Sequence, residues 1–340
     1  MGVAEEACAA LPSSSERRPY EVRGRQILRI GPDGCALPPV GPVPAHGEGL
    51  RGQDHVGTRL DHRLAVDEVR LAKLGGGEVR MRAFYGQDGV TVAVHRGPSW
   101  RRPRLLAAAE VRQALTSGGA VAAPAYLGSG SRRGVAWLLE ETVRASHPRP
   151  QERDAVAHAL GPRLLAAGTG LGCRRTTVAT VLTGRGVAEV RDLIVSRRDH
   201  LPAGLRVAVR ALVHDHRRVV LAPAHGDPVL SNVLRRTEDG DLLLVDWELA
   251  AVAPVGQDAA KLVLGTVDPL AALEASAPVF AREARAGDLP WDAQVAVALL
   301  RLLAGWRAQA RTAGVMGRTA AFERHLVARL DLLGLLVARS

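Results

Sequence analysis

Lysine is nearly missing from this chain: only Lys73 and Lys261 stand among its 45 basic residues, and the rest are arginine. Aromatic residues are scarce too, at 3%, which argues against a platform that stacks the bases of single strands, since such a platform needs a row of rings. No zinc-finger, zinc-knuckle or RNP-like pattern occurs, so nucleic acid is not the expected partner. The three cysteines, Cys8, Cys35 and Cys173, are scattered and odd in number. They form no disulfide framework and suit reduced thiols in the cytosol. Long apolar runs are also lacking. The best candidate, AQVAVALLRLLAGW, is cut by Arg301, so no membrane span is expected. The first residues carry early acids and no apolar stretch of a secretory signal, and Gly2 lacks the downstream Ser or Thr of a myristoylation site. These absences leave a cytoplasmic, enzyme-sized protein.

What is present is enough apolar material, 47% of 340 residues, to build two lobes around real cores. The formal net charge of +10 follows from the arginine bias; it gives a soluble basic surface or draws anionic partners such as nucleotides or acidic peptides. Residues 1–65 are rich in Pro, Gly and charge and are expected as a partly disordered extension, with one hairpin near YEVRGRQILRIGPDG. Three β patterns follow, DEVRLAKL, GEVRMRAFYG and VTVAVHR, separated by Gly75-Gly76-Gly77 and by GQDG. A helix is expected in RPRLLAAAEVRQALTSGG, then two strands in VAAPAYLGSGSRRGVAWLLEETV. From about residue 150 the pattern is helical: QERDAVAHALGPRLLAAG, RVAVRALVHDHRR, DPLAALEASAPVFAREARAG, PWDAQVAVALLRLLAGWRAQART and AAFERHLVARLDLLGLLVARS all carry apolar stripes at helical spacing. The expected division is an extension (1–65), a small β-rich domain (66–143) and a larger helical domain (144–340).

Between those helices lies the most polar apolar stretch of the chain, PAHGDPVLSNVLRRTEDGDLLLVDWE (223–248). A buried strand does not want a His, two Asp and an Asn unless they are paired or hold something charged. Asp227 and Asn232 have the Asp-x-x-x-x-Asn spacing of a kinase catalytic loop, and Asp246 follows after a hairpin-like segment. In phosphoryl transfer a carboxylate orients the acceptor hydroxyl and takes its proton, while carboxylate and amide oxygens suit Mg²⁺. The spacing therefore offers Asp227 as base and Asn232 with Asp246 as metal ligands. The TEDGD turn (237–241) folds two strands back so that Asn232 and Asp246 come side by side.

HGDPVLSN followed by LLLVDWE resembles the aminoglycoside phosphotransferase and choline kinase family, relatives of protein kinases. VGQDAAKL resembles the family's Gly-Asp-Pro-x-x-Asp-Leu-Ala stretch, with Asp258 in the place of the structural Asp. The resemblance covers residues 65–340 in layout and is specific over 223–262. It implies an α+β, protein kinase-like two-lobe fold, with a small β-rich N-lobe and a larger, mainly helical C-lobe. It also implies ATP and Mg²⁺ as cofactors and a hydroxyl acceptor. His225 would support the catalytic loop, and Glu248 would brace the metal site or touch the ion.

In the small lobe such families place a Lys that holds the α/β-phosphates and pairs with a helix Glu. Here the strand reads Val92-Ala93-Val94-His95-Arg96, and Glu110 is the natural pairing acid. The Lys is absent. His95 acts as an imidazolium in its slot, or Arg96 swings in from the opposite face, or nucleotide binding is altered or lost. Gly75, Gly76 and Gly77 would approach the phosphates through backbone N–H groups, or form an ordinary hairpin turn. LLEET (138–142), with Glu140, would be the hinge meeting adenine. His214-Asp215-His216 is read as a solvated helix end rather than a metal site.

Three functions remain open on the sequence. One is a kinase acting on a peptidyl Ser/Thr of an acidic precursor peptide, with a partner lyase, as in lanthipeptide biosynthesis. The second is a small-molecule kinase of the antibiotic-modifying type. The third is a nucleotide-binding pseudokinase without turnover. The helices after residue 260 carry Arg282, Arg285, Arg301, Arg307, Arg311, Arg324 and Arg329, a poor setting for a polycationic aminoglycoside.

Overall fold

The computed structural model describes residues 18–23, 26–29, 59–62, 68–73, 79–85, 90–96, 104–132, 135–141, 143, 145–197, 201–202, 204–315 and 319–339. The chain divides into two compact units, Met1–Glu110 with Pro124–Arg144, and Val111–Ala123 with Ala145–Ser340.

In the first unit, β1 (Arg18–Arg23) and β2 (Gln26–Arg29) form an antiparallel hairpin in the region where one was expected, and β3 (Arg59–His62) pairs with the other edge of β1. A five-stranded antiparallel sheet follows, built from β4 (Glu68–Lys73), β5 (Val79–Tyr85), β6 (Val90–Arg96), β7 (Tyr126–Arg132) and β8 (Val135–Glu141) in the order β4-β5-β6-β8-β7. Helix α1 (Arg104–Ser117) places Leu105 and Ala109, one turn apart, against Ala93 of β6 and Ala136 and Leu138 of β8. Three of those five core residues are alanine, so the helix backbone sits close on the sheet, and burial of Leu105 and Leu138 supplies most of the apolar gain, about 2 kcal/mol for each side chain.

The second unit is mainly helical. Helix α2 (Arg153–Gly170) buries Val156, Ala157, Leu160, Leu164 and Leu165, the stripe expected of its 3.6-residue period. Strands β10 (Arg174–Thr177), β11 (Arg218–Ala224) and β14 (Ala251–Pro254) make one antiparallel sheet in the order β10-β11-β14. Strands β9 (Ala145–Ser146), β12 (Val233–Arg236) and β13 (Leu242–Leu244) make another, ordered β13-β12-β9. The remaining helices are α3 (Val178–Val181), α4 (Gly184–Ser196), α5 (Leu205–Val213), α6 (Gly256–Val263), α7 (Pro269–Glu274), α8 (Ala277–Glu283), α9 (Trp291–Leu303), α10 (Trp306–Val315) and α11 (Thr319–Val337).

Helix α9 is buried on nearly every side, from Trp291 through Ala293–Leu300 to Leu303, which makes it the axis of this unit. Gln294 is buried on it but satisfied: Val220 N donates to its Oε1 at 3.0 Å, and its Nε2 donates to Leu289 O at 3.1 Å. Helix α6 meets α9 at Gly256, where any Cβ would lie 2.6 Å from the Val295 Cα. Only glycine permits that approach, and it brings the α6 face beneath the loop that leaves β11.

Four local readings are corrected. PWDAQVAVALLRLLAGWRAQART is two helices, α9 and α10, parted by a turn at Ala304 and Gly305. DPLAALEASAPVFAREARAG is two helices, not one: α7 ends at Glu274 and the chain restarts at Ala277, where Pro278, lacking an N–H, fits only a first turn. RVAVRALVHDHRR is helical only to Val213, and Asp215 instead accepts from Arg217 N at 2.7 Å. Helix α4 was not anticipated: Gly184 and Gly186 hide it, but Thr183 accepts from Gly186 N at 3.2 Å and caps its start.

Candidate active site

Strand β11 buries Val219, Val220, Ala222 and Ala224, and the chain turns sharply on leaving it. Gly226 makes the turn possible, with φ of 86°, and a Cβ there would stand 2.1 Å from the Leu249 carbonyl oxygen. The turn leaves the His225 and Gly226 amides buried, and α6 answers both with one residue. Asp258 accepts from His225 N through Oδ2 at 2.7 Å and from Gly226 N through Oδ1 at 2.9 Å. Burial pushes the Asp258 carboxyl above the usual carboxylate range, while His225, the two amide donors and Lys261 pull it back.

His225 is fully buried and spans the site. Its Nδ1 accepts from Asp227 N at 3.2 Å, which leaves Nε2 to carry the hydrogen donated to Val245 O at 3.1 Å. That pairing defines a neutral imidazole, and burial pushes its pKa below the ordinary value against the pull of Asp258. The ring packs against Trp247 with centroids 4.3 Å apart, and the Trp247 indole donates to Leu244 O at 2.8 Å. His225 therefore ties the Asp227 turn to the segment that bears Asp246.

Asn232 closes a single 3₁₀ turn, Leu230–Asn232. Its Nδ2 donates to Asp227 O at 2.9 Å, so the amide oxygen is turned away from that carbonyl. Val233 pairs with Leu244, and Val245 N donates to Asn232 O at 3.0 Å. The hairpin thus continues through Asn232 and Val245, and Asp246 stands one residue past that pairing. Asp246 has φ 64° and ψ 52°, and it is the one non-glycine residue with positive φ among the described residues. Such a conformation costs about 1 kcal/mol or more and persists where the surroundings impose it. It ends β13 and starts the 3₁₀ turn Trp247–Leu249, where Glu248 is half-buried.

One residue was missed by sequence reasoning. Lys261 Nζ donates to Asp227 Oδ1 at 2.8 Å and to Gly226 O at 2.5 Å. The signal was present: it is one of two lysines in the chain, and it lies three residues after Asp258 on α6, so the two share a helix face. Among the described residues there is no cluster of three His, Cys, Asp or Glu able to hold a metal. His214 and His216 are exposed.

The family model described as the phosphotransferase enzyme family, APH, matches residues 73–286, more than half of the chain. The chain belongs to this family. It is therefore an enzyme that transfers a phosphoryl group to a hydroxyl acceptor, with the α+β fold expected from its sequence. Solved structures similar to it include a thermostable mutant of the aminoglycoside phosphotransferase APH(4)-Ia, at 16% identity and TM-score 0.48, covering 78% of this chain and 95% of that one. A choline/ethanolamine kinase family protein from Mesorhizobium loti is 17% identical with TM-score 0.43, covering 78% and 92%. The choline kinase LicA from Streptococcus pneumoniae is 14% identical with TM-score 0.45, covering 82% and 95%. A search of curated protein sequences found no match.

Gly75, Gly76 and Gly77 lie outside the described residues, as do the side chains of His95 and Arg96. The backbone of His95 pairs with Arg80 and Ala136 in the sheet centre. Glu110 is exposed on α1. Glu140 is buried and sits within β8, which runs to Glu141, so most of the expected hinge LLEET is strand rather than connector. No helix among the described residues is long and apolar enough to cross a membrane.

Proposed function

We propose that this enzyme moves the γ-phosphoryl group of ATP to a hydroxyl of a small molecule, with Asp227 as the catalytic base. The observation that carries the reading is the Asp227–Asn232–Asp246 constellation, which places the ends of two neighbouring strands around one loop. Asp227 is 30% exposed at its side chain, so Oδ2 is left to meet an acceptor hydroxyl while Lys261 holds Oδ1. It orients that hydroxyl and takes its proton as the bond to phosphorus forms.

The donor set fits Mg²⁺: Asn232 and Asp246 offer an amide and a carboxylate oxygen and no nitrogen or sulfur. Mg²⁺ takes few protein ligands and fills its shell with water and phosphate oxygens, so two protein oxygens suffice. When bound, the ion would neutralise charge on the transferring phosphoryl group. The strained backbone of Asp246 fixes its carboxylate, and His225 locks that segment to the base-bearing turn.

The test is incubation with Mg-ATP and a panel of hydroxyl compounds and Ser/Thr peptides, read by mass spectrometry for the gain of one phosphoryl group. A labelled small molecule whose product is lost in Asp227→Asn supports the proposal. Labelling of peptides alone moves the acceptor class to a peptidyl hydroxyl, and no ATP turnover with any acceptor leaves a nucleotide-binding scaffold.

A further inference from the structure

Helices α4 and α5, with Leu300 of α9, line a cavity of about 530 Å³. That volume falls in the range of about 300–1,000 Å³ in which proteins hold small molecules. No residue of the 223–262 segment lines it. Its floor is apolar and closed: Leu182, Val190, Ile194, Val209 and Leu300 are all buried. The sequence explains the gap. Val187, Val190, Ile194 and Val195 recur at helical spacing on one face of α4, and Val209 and Val213 meet them from α5. Valine is short and held near one rotamer in a helix, so these walls are fixed yet do not meet.

The rim has the opposite chemistry. Arg206 and Arg210 lie four residues apart on α5, hence on one face, and both are exposed. Arg191 joins them from α4. No acid lines the cavity among the described residues, and α5 itself holds none. Asp192 stands 3.8 Å from Arg191, but it also accepts from Arg307 at 3.0 Å. Arg206 and Arg210 form no ion pair among the described residues, and like charges at this spacing repel each other.

An apolar pit beneath exposed guanidinium groups suits a molecule with a hydrocarbon body and an anionic head. Burial of the body supplies affinity, and the planar forks match an oxyanion at the wet mouth, where little desolvation is required. A cation would meet three like charges. We infer that this cavity binds an amphipathic small molecule, its aliphatic body on the floor and its oxyanion head held by Arg206 and Arg210. The site shares no residue with the loop that bears Asp227, so it is tested without nucleotide, and its failure leaves the phosphotransferase reading untouched.

Ile194 is one of three isoleucines in the chain, with Ile27 and Ile30, so its δ1 methyl is a local reporter in isoleucine-labelled protein. The resonance is assigned by its loss in Ile194→Val. The probes share one chain: octanoate, octyl phosphate, 1-octanol and octylamine, each titrated below its micelle-forming concentration. At least one of the two anions should shift the Ile194 resonance saturably, binding about tenfold or more tightly than the alcohol, and octylamine should bind least. Replacing both exposed arginines, Arg206→Gln with Arg210→Gln, should bring the anions to the affinity of the alcohol. Val195→Phe, at the exposed edge of the cavity, should weaken every probe, and thermal melts establish that the variants fold. No saturable shift with either anion, equal affinity for octylamine, or unchanged anion affinity in the double variant overturns the inference. So does a dimer by light scattering that Val195→Arg separates, since that gives this face to a second copy of the chain.

Discussion

The loop that bears Asp227 has two flanks built on opposite plans. On the flank of His225 and Asp258 every donor finds an acceptor: two amides end on one carboxylate, and a neutral imidazole joins two segments with both nitrogens used. On the flank of Asp227 and Lys261 the groups are charged and partly exposed, and one ion pair joins them. A satisfied buried network fixes geometry and responds little to solutes, whereas a partly exposed carboxylate keeps an oxygen free to meet one. The loop is thus anchored on one side so that the other can be chemically poised.

Mutations separate the flanks. The largest effect is expected on the poised side, where Asp227→Asn should lower kcat by roughly 10²–10⁴-fold while leaving the melting temperature and Mg-ATP affinity near those of the wild type. Steady-state kinetics beside calorimetry checks this, and a variant with wild-type kcat would remove Asp227 from the mechanism. On the anchored side the response should be the reverse in kind. Asp258→Ala strands two buried amides and should cost about 2–5 kcal/mol of stability by chemical denaturation; an unchanged midpoint would mean that the two amides find other partners. Asp246→Ala sits between these cases. It should weaken Mg²⁺-dependent nucleotide binding by about 10–100-fold with a small effect on stability, and equal affinity with and without the carboxylate would exclude it as a metal ligand.

The smallest effect is a pH limb. His225 is held below the ordinary imidazole pKa of about 6.5, so the unfolded chain takes up its proton first. Stability is then at its full value above about pH 6.5 and falls as pH drops below it, by at most about 1.4 kcal/mol per pH unit. Asp258 acts in the opposite sense, since a raised carboxyl favours the folded state as pH falls through its pKa. The difference between wild type and His225→Asn in melting temperature from pH 7 to 5 isolates the imidazole. Parallel curves would show that His225 is not buried neutral.

Much of the site was readable in order along the chain. The Asp227, Asn232 and Asp246 spacing needs only a turn and a hairpin to bring three oxygen donors together, and such short-range geometry follows from local chemistry. Strands β4 to β8 and helix α1 were likewise marked by Gly-rich turns and apolar periodicity. Helix α4 escaped because two glycines at its start contradict a helical reading, and packing of α4 against α9 overrides that preference. The strain at Asp246 was invisible too, because a residue's φ is imposed by the segments around it.

By itself, then, the sequence determined the family and the α+β fold and put Asp227, Asn232 and Asp246 forward as candidate oxygen donors, because each is written in contiguous residues with fixed spacing. Among the Arg-rich helices it could not choose. Only the tertiary structure decided that Arg282, Arg285, Arg311 and Arg324 face solvent and that Arg307 pairs with Asp192. It alone left Arg329 half-buried, and it alone turned a rare lysine onto the Asp227 carboxylate. Identical side chains on neighbouring turns differ only in which helix packs over them, and that is settled by contacts between residues far apart in the chain.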